Sequence, residues 1–314
     1  MTDSSYPSPA HFRKPLLETP FHERARDLAQ TDHFVPWSGY TTVDVFSTVE
    51  QEYFAIRNAA TLYDLTPMVK YRVTGMDAER YLNRLVTRDI RKLRAGRVSY
   101  VVWCNDDGNI IDDGTVFRFS DTDFRICTAE RQLDWFLDSA IGFDVSVEEI
   151  TTDVAALSLQ GPTSCYVLKK FGLEGVETLK PFDVREFSSR GRPLMVSRTG
   201  FTGDLGYELW MPPEHALAIW DELMAAGRTR GIRAIGSQAL NLARIEAGFL
   251  MPNVDFISAE HTVRLNRERT PLELGLGWLV DFDKPHFNGR RALLRQSATG
   301  LARMLVGQIG RAHV

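Results

Sequence analysis

The sequence has little cysteine, no long apolar run and only a small excess of negative charge. Its 314 residues include three cysteines, Cys104, Cys127 and Cys165, whose spacing matches neither a metal site nor a disulfide framework. No uncharged stretch reaches the roughly 18 residues that a membrane-spanning helix needs. The net charge of −4 argues against general nucleic-acid binding. We therefore expect a cytoplasmic protein with no membrane and no nucleic-acid partner.

Several catalytic motifs are lacking too. The seven histidines show no paired spacing, so no metal site is predicted. The sequence has neither a GxSxG nucleophile elbow nor a GxGxxG phosphate loop after a strand, which argues against serine-hydrolase chemistry and a fused flavin domain. The start of the chain shows no basic region followed by an apolar run, so no secretory signal is predicted.

What the sequence does contain is a hairpin pattern from Ser99 to Phe119. Two β-rich runs flank the turn cluster Asn105–Gly108. With these four residues as the loop, Tyr100 is expected opposite Asp113. Because strand side chains alternate between faces, Asp112 is expected on the other side. The face of Asp113 is predicted to carry Ile111, Thr115, Phe117 and Phe119.

Asp113 is thus predicted to be a carboxylate on an apolar strand face. Burial raises the pKa of a carboxylate unless hydrogen-bond donors compensate, and such groups are enriched at functional sites. From this pattern alone, an equally good interpretation is that Asp113 is structural and its carboxylate accepts hydrogen bonds from nearby backbone N–H groups. A second motif, Ser197–Met211, reads as strand, glycine-rich turn and strand, where Gly200, Gly203 and Gly206 permit close approach of another group.

The helix and strand patterns favour the α+β class, because they lack the regular alternation of a parallel sheet. Helices are predicted near Phe21–Ala29, within Gly75–Leu93 after an Asp77 cap, and over Pro213–Gly227. A basic run, Arg84–Arg97, is typical of a solvated helix end. It is also suited to an anionic partner such as an acidic protein.

As a set, the motifs resemble the aminomethyltransferase family, whose founding member is the T-protein of the glycine cleavage system, a tetrahydrofolate-dependent one-carbon transferase. The resemblance extends from about Ser47 to Leu294. It rests on DLTPM (Asp64–Met68), Tyr100 with GNIIDD (Gly108–Asp113), QGP (Gln160–Pro162), SRTGFTGDLGYEL (Ser197–Leu209), ARIEAG (Ala243–Gly248) and LELGLGWLVDFDK with NGRRAL (Leu272–Leu293).

The resemblance implies a three-domain cloverleaf with two intimately associated folate-binding subdomains and a C-terminal barrel. We expect residues 1–30 to be a mobile arm and residues 31–295 to form the folate-binding region. Residues 296–314 are expected to be the truncated start of the barrel, with a strand over Met304–Ile309, so that the barrel itself is missing.

The resemblance also implies the site. Asp113 matches the catalytic carboxylate beside the folate nitrogens. Met68, Tyr100 and Tyr207 are expected to line the folate pocket, where Glu208 accepts from the paired N–H edge of the pteridine. Ordinary alternatives stay open: Glu208 as a cross-strand partner of Arg198, and the other pocket residues as core side chains.

The sequence departs from the T-protein pattern where the carbon donor would enter. Thr66 and Pro67 replace the usual Ser and His, Thr128 stands where Asn is common, and Leu250–Glu273 is longer and more basic. Transfer from an aminomethyl-lipoyl carrier protein is therefore one expectation. The alternatives are tetrahydrofolate-dependent O-, S- or N-demethylation of a small-molecule methyl donor, and a non-catalytic folate-binding protein.

Overall fold

The computed structural model describes residues 15–307, built around one six-stranded and one five-stranded sheet. The helices are α1 (His22–Leu28), α2 (Val49–Asn58), α3 (Ala78–Leu85), α4 (Leu133–Ser139), α5 (Ser164–Phe171), α6 (Ala216–Gly227), α7 (Ser237–Ala247) and α8 (Arg290–Thr299). The strands are β1 (Phe34–Trp37), β2 (Tyr40–Val43), β3 (Thr61–Asp64), β4 (Val69–Thr74), β5 (Arg97–Cys104), β6 (Ile110–Arg118), β7 (Asp123–Thr128), β8 (Ser146–Glu149), β9 (Ala155–Gln160), β10 (Val184–Ser189), β11 (Arg192–Ser197), β12 (Gly206–Met211) and β13 (Arg233–Ala234).

The strand order confirms the predicted α+β class. One sheet runs β10-β11-β12-β9-β3-β13 and the other β5-β6-β7-β4-β8, while β1 and β2 form a separate ribbon. Neighbouring strands are antiparallel except for β13, which lies parallel to β3. Mainly antiparallel sheets with helices packed against them are the defining feature of that class.

The two sheets face each other across a shared apolar cluster. Val98 and Phe117 of the five-stranded sheet belong to it together with Ala156 and Trp210 of the six-stranded sheet. The Phe117 and Trp210 rings meet edge to face, with centroids 5.3 Å apart. A second cluster places α5 and α6 on the outer face of the six-stranded sheet, and a third places α3 and α4 outside the five-stranded sheet. Each sheet is therefore covered on both faces.

The predicted hairpin is present, but its register differs from the expectation. Tyr100 pairs with Thr115, and Val102 pairs with Asp113, because the loop includes Asn109 and the ladder shifts by one residue beside Trp103. Such a shift is a β-bulge, which turns one residue of a strand to the other face. The prediction that Ile111 shares a face with Asp113 is accordingly wrong. Ile111 packs in the outer cluster with Trp103.

Three further predictions concern the N-terminal segment, the start of α3 and the last described residues. Helix α1 confirms the predicted short helix, but Phe21 is fully buried against the core, so residues 21–28 do not belong to the mobile arm expected over residues 1–30. Residues 1–14 lie outside the described residues. Helix α3 begins after Asp77, although the Asp77 side chain bonds Asp144 N–H and makes no capping bond. No strand forms over residues 304–307, whose backbone N–H at Leu305 bonds Glu273 C=O; residues 308 and 309 are not described.

Candidate active site between the two sheets

The segment Asp64–Met68 carries the chain from one sheet to the other, because it joins β3 to β4. Asp64 accepts a hydrogen bond from the Thr66 backbone N–H at 3.0 Å, and the Thr66 hydroxyl accepts one from the Ala156 N–H at 3.2 Å. Met68 follows this turn and packs, half-buried, on the cluster between the sheets. The Thr66 hydroxyl thus links the crossing to β9.

Tyr100 and Asp113 form a direct hydrogen bond on the inner face of the five-stranded sheet. The Tyr100 hydroxyl donates to Asp113 Oδ2 at 2.5 Å, although the two residues are diagonal neighbours rather than opposite partners. Diagonal pairs of this kind are within reach of long side chains. Burial raises the pKa of Asp113, and the Tyr100 hydroxyl lowers it in part. The predicted proximity of Tyr100 and Asp113 is therefore confirmed, whereas the predicted strand register is wrong.

Asp112 is a second buried carboxylate beside Asp113, on the opposite face of β6. Its Oδ1 accepts the Asp113 backbone N–H at 2.8 Å, and Oδ2 accepts from Gln132 Nε2 at 3.3 Å. Burial, and then the charge of Asp113, raise the pKa of Asp112. The GNIIDD motif thus places two buried carboxyl groups side by side on β6, where the charge of one affects the pKa of the other.

Glu208 lies on the inner face of the six-stranded sheet and has hydroxyl partners only. Its Oε2 accepts from Thr199 Oγ1 at 2.5 Å and from Ser197 Oγ at 3.5 Å. Burial raises the pKa of Glu208 to about 7, and these two hydroxyls lower it in part. Within residues 15–307 no side chain or backbone group donates to Oε1. The residues directly across from Glu208, Ser158 and Ser197, have small side chains.

The alternative of a cross-strand ion pair for Glu208 does not occur in the structure. Arg198 turns away and its Nη1 donates to the Leu179 carbonyl at 2.7 Å. Tyr207 is also turned away, since neighbouring strand residues point to opposite faces. It packs, 2% exposed, in the outer cluster under α5 and α6. The structure therefore brings Met68, Tyr100, Asp113 and Glu208 to the layer between the sheets, but not Tyr207.

The glycine-rich turn before Glu208 closes around one buried side chain, Gln160 of the QGP motif. A Cβ atom on Gly200 or Gly206 would lie 2.0 or 1.9 Å from Gln160 Oε1. Gln160 is fully buried and its Nε2 donates at 3.3 Å to the carbonyls of Thr199 and Tyr207. The glycines thus admit the side chain that holds the turn carrying Thr199, the donor to Glu208.

Four residues that contribute to this region were not predicted as site residues from the sequence. Asp112 and Gln132 support Asp113 from behind. Arg244 of the ARIEAG motif is 2% exposed and pairs with Asp255, whose charge raises the pKa of Asp113. Only the resemblance of the ARIEAG segment to a known motif marked Arg244, and the 250–273 segment gave no hint of Asp255.

Within residues 15–307 no group of three or more His, Cys, Asp or Glu side chains is arranged to hold a metal ion. None of the helices described there is long and apolar enough to cross a bilayer.

Comparison with known proteins agrees with this architecture. The family model of the GCVT N-terminal domain matches residues 18–284. The aminomethyltransferase of Caldanaerobacter subterraneus subsp. tengcongensis is 34% identical over 278 residues, which cover 87% of this chain and 72% of that protein. The aminomethyltransferase of Halothermothrix orenii is 33% identical over 93% of this chain and 80% of that protein.

A solved structure shows the same fold. Glycine cleavage system aminomethyltransferase T from Bartonella henselae matches with a TM-score of 0.80 and 26% identity, covering 92% of this chain and 77% of that chain. The resemblance seen in the motifs is confirmed, and the chain belongs to the GCVT domain family as an aminomethyltransferase-like enzyme.

Proposed function

We propose that this protein transfers a one-carbon unit to tetrahydrofolate bound between its two sheets. The observation that carries the proposal is Glu208, a buried carboxylate with two hydroxyl donors, a free oxygen and small neighbours. The pteridine presents a ring N–H beside an amine, and one carboxylate can accept from both. Met68, in the cluster between the sheets, and Tyr100, in the neighbouring cluster around Val102, supply apolar surface.

In the proposed reaction Asp113 acts at the folate nitrogens. Tyr100 holds Oδ2 and the Asp113 backbone N–H is held by Asp112, so the carboxylate is fixed before substrate arrives. The other oxygen then accepts a hydrogen bond from an amine of the folate, orients its lone pair and offsets the positive charge that develops as the new carbon bond forms. Preorganisation of this kind replaces a chance encounter with a fixed approach.

The carbon donor we propose is an aminomethyl group on a lipoyl carrier protein, as in the glycine cleavage system to which the Bartonella henselae protein belongs. In this reaction the carbon–sulfur and carbon–nitrogen bonds of the aminomethyl group break, which releases the dihydrolipoyl carrier and ammonia and yields 5,10-methylenetetrahydrofolate. A small-molecule methyl donor would instead yield 5-methyltetrahydrofolate, and a non-catalytic folate-binding protein would yield neither. The product thus distinguishes the three functions.

The test is mass spectrometry of the folate product after the protein meets tetrahydrofolate with either loaded lipoyl carrier or a panel of methylated small molecules. A carrier-dependent methylene product supports the proposal. A methyl product shows a demethylase, and folate binding without product shows a binding protein. Absence of tetrahydrofolate binding contradicts all three.

The role of Asp113 is tested by Asp113→Asn. We expect turnover to fall by about 10² or more, because the amide cannot offset the developing charge, while folate affinity stays within about tenfold. Asp107→Asn, an exposed change in the same hairpin, is the matched control and is expected to keep full activity. Unchanged turnover in Asp113→Asn would remove Asp113 from the mechanism.

A further inference from the structure

Asp112 is a buried acid that lies directly behind the proposed catalytic carboxylate. It is 1% exposed, and its partner across the hairpin is Trp103. Trp103 packs in the outer cluster against Phe136, with ring centroids 5.5 Å apart. Asp113, the next residue on β6, faces the layer between the sheets. The two carboxyl groups are therefore neighbours along the strand that meet different surroundings.

The hydrogen-bond partners of both carboxyl groups are uncharged. Asp113 accepts from the Tyr100 hydroxyl at 2.5 Å, and Asp112 accepts from the Asp113 backbone N–H at 2.8 Å and from Gln132 Nε2 at 3.3 Å. Within residues 15–307 neither carboxyl group forms an ion pair with a lysine, arginine or histidine. Two buried carboxyl groups without a cation do not both ionise readily, because each negative charge disfavours the other. The pair therefore shares one proton over a wide range of pH.

The surroundings of the two groups decide which of them holds this proton. The short hydrogen bond from Tyr100 favours the ionised form of Asp113. Asp112 is more deeply buried, and its side-chain donor, on Gln132, is more distant. The Glu130 carboxylate raises the pKa of Asp112 further, as the Asp255 carboxylate does for Asp113. These contacts place the proton on Asp112.

Gln132 is able to serve a protonated Asp112. Its side-chain oxygen Oε1 is buried and has no donor within the described part of the chain. A carboxamide carries an acceptor as well as a donor, so after a half-turn it accepts from a carboxylic acid where it now donates to a carboxylate. The Tyr71 hydroxyl, which accepts the Gln132 backbone N–H at 2.8 Å, faces Asp112 from β4. Burial raises the pKa of Tyr71 to about 12, so this group is neutral.

We propose that Asp112 is a positioning residue that carries the proton of this pair and thereby keeps Asp113 ionised for the transfer reaction. The proposal rests on the function proposed above. A second negative charge beside Asp113 would favour a proton on Asp113, which would then no longer offset the positive charge that develops on the folate. The neutral Asp112 still accepts the Asp113 backbone N–H. Its proton stays in place during turnover.

The first measurement is infrared difference spectroscopy of the ligand-free protein at about pH 8.5, where ordinary carboxyl groups are ionised. We expect the difference between the parent and Asp112→Asn to contain the carbonyl band of one protonated carboxylic acid. Asp113 and Glu208, with pKa values of about 6 and about 7, are mostly ionised there. Glu208→Gln and the exposed hairpin variant Asp107→Asn should keep the band. An Asp112 that was ionised and served structure alone would give no such band.

The second measurement is the pH dependence of turnover. Asp112→Asn should leave the midpoint of the acid limb within about 0.3 pH units of the parent, because the amide is uncharged like the acid that it replaces. An ionised Asp112 predicts instead that the midpoint falls by about one unit or more, since a negative charge is removed. Asp112→Leu, which removes the acceptor of the Asp113 N–H, should lower kcat about tenfold with KM for tetrahydrofolate within about threefold. Asp112→Asn should recover most of that loss.

A parent protein without the infrared band, or a band that remains in Asp112→Asn, overturns the proposal and leaves the proposed function intact, since neither result involves folate. A lower midpoint in Asp112→Asn overturns it as well. If no carbon donor gives a folate product, the proposed function fails and the role of Asp112 in the reaction fails with it. The infrared band identifies that case, because it is then still present in the parent.

Discussion

Glu208 is the residue whose environment is hardest to explain by stability alone. A buried carboxylate without a cation is costly, and its two hydroxyl donors compensate only in part. Burial raises the pKa of Glu208 to about 7, so between about pH 4.5 and pH 7 the folded, ligand-free protein holds a proton there that the unfolded chain releases. The protonated Glu208 therefore favours the folded state. Its contribution to the free energy of unfolding is complete below about pH 4.5 and is lost as pH rises through about 7.

The same shift predicts how tetrahydrofolate binding depends on pH. Only the ionised carboxylate accepts from both pteridine donors, so affinity should rise about tenfold from about pH 6 to about pH 8. Glu208→Gln should lose this pH dependence and bind about 30-fold more weakly at the upper pH, because an amide offers one donor where an acceptor is needed. Calorimetric titrations across this range measure both effects.

The control for this prediction is Glu186→Gln, which changes an exposed glutamate on β10 with no ion pair in the described residues. It should behave as the parent protein. In the absence of folate, Glu208→Gln should gain thermal stability relative to the parent as pH rises, for the reason given above. A parent protein whose folate affinity is flat across this range would show that Glu208 does not carry the pteridine.

At the residue scale, Asp113, Tyr100 and Glu208 of the predicted site lie on the inner faces of the two sheets, whereas Tyr207 packs under α5 and α6. A motif shows that residues occur together, and strand alternation alone puts Tyr207 and Glu208 on opposite faces. Which face meets the second sheet depends on contacts such as that of Trp210 with Phe117, which lies far away in the chain. Asp112 stands next to Asp113 in the sequence, but its role depends on its hydrogen bond with Gln132, which only the fold shows.

At the scale of the element, three motifs depend on one another physically. Gln160 occupies the space that Gly200 and Gly206 leave open. Gly203, with a φ of 74°, allows the same turn to approach helix α7, because an added Cβ would lie 2.5 Å from that of Ala247. The QGP, glycine-rich and ARIEAG segments are therefore one packed unit. The sequence predicted the close approach, and only the fold identifies the approaching groups.

Gly200→Ala tests this unit. The new methyl group must displace the Gln160 amide, which is fully buried and bonds Thr199 and Tyr207. We expect the free energy of unfolding to fall by about 1–3 kcal/mol, the cost of buried hydrogen bonds left unmade. Folate affinity should fall too, because Thr199 donates to Glu208. Urea denaturation and calorimetry measure the two effects.

The matched control is Gly191→Ala in the β10–β11 hairpin. Gly191 has a φ of 80° and open space around its Cβ position, so alanine there costs about 1 kcal/mol of backbone strain without a clash. This variant should lose stability and keep its folate affinity. Equal losses of affinity in both variants would mean that general destabilisation, and not the Gln160 contact, controls the site.

The hairpin shows the limit of element prediction. The loop cluster and alternation correctly gave two paired strands, yet the register moved by a bulge beside Trp103. Asn105 explains the longer loop, because its side chain accepts the backbone N–H groups of Asp107 and Asn109 at 3.1 and 2.9 Å. Side-chain hydrogen bonds of this type compete with the backbone hydrogen bonds between the two strands. The identity of the turn residues alone does not predict which of the two sets forms.

At the scale of the whole molecule, the site exists only because two sheets are held face to face. Asp113 and Glu208 belong to different sheets, which the chain joins through the short crossing Asp64–Met68. Lys70 reinforces the crossing: it is fully buried and its Nζ donates to the Thr66 carbonyl at 2.6 Å. The α+β class followed from the sequence, but the pairing of the two inner faces rests on long-range contacts that no local pattern encodes.

Phe117→Leu tests whether the packing between the sheets sets the geometry of the site. Phe117 shares β6 with Asp113, and its ring meets Trp210, which shares β12 with Glu208. Leucine keeps most of the volume and removes the edge-to-face contact, so we expect the free energy of unfolding to fall by about 1 kcal/mol. A small shift of one sheet against the other should also weaken folate binding by about three- to tenfold, because both carboxylates must reach one ligand.

Phe171→Leu gives the same chemical change on the outer side of the six-stranded sheet, where Phe171 packs from α5 into the other cluster. Its loss of stability should be similar, while its folate affinity should equal that of the parent. Chemical denaturation and calorimetry on the two variants separate stability from alignment. If Phe117→Leu binds folate as tightly as Phe171→Leu does, the carboxylates are positioned by their own strands, and the contact between the sheets serves stability alone.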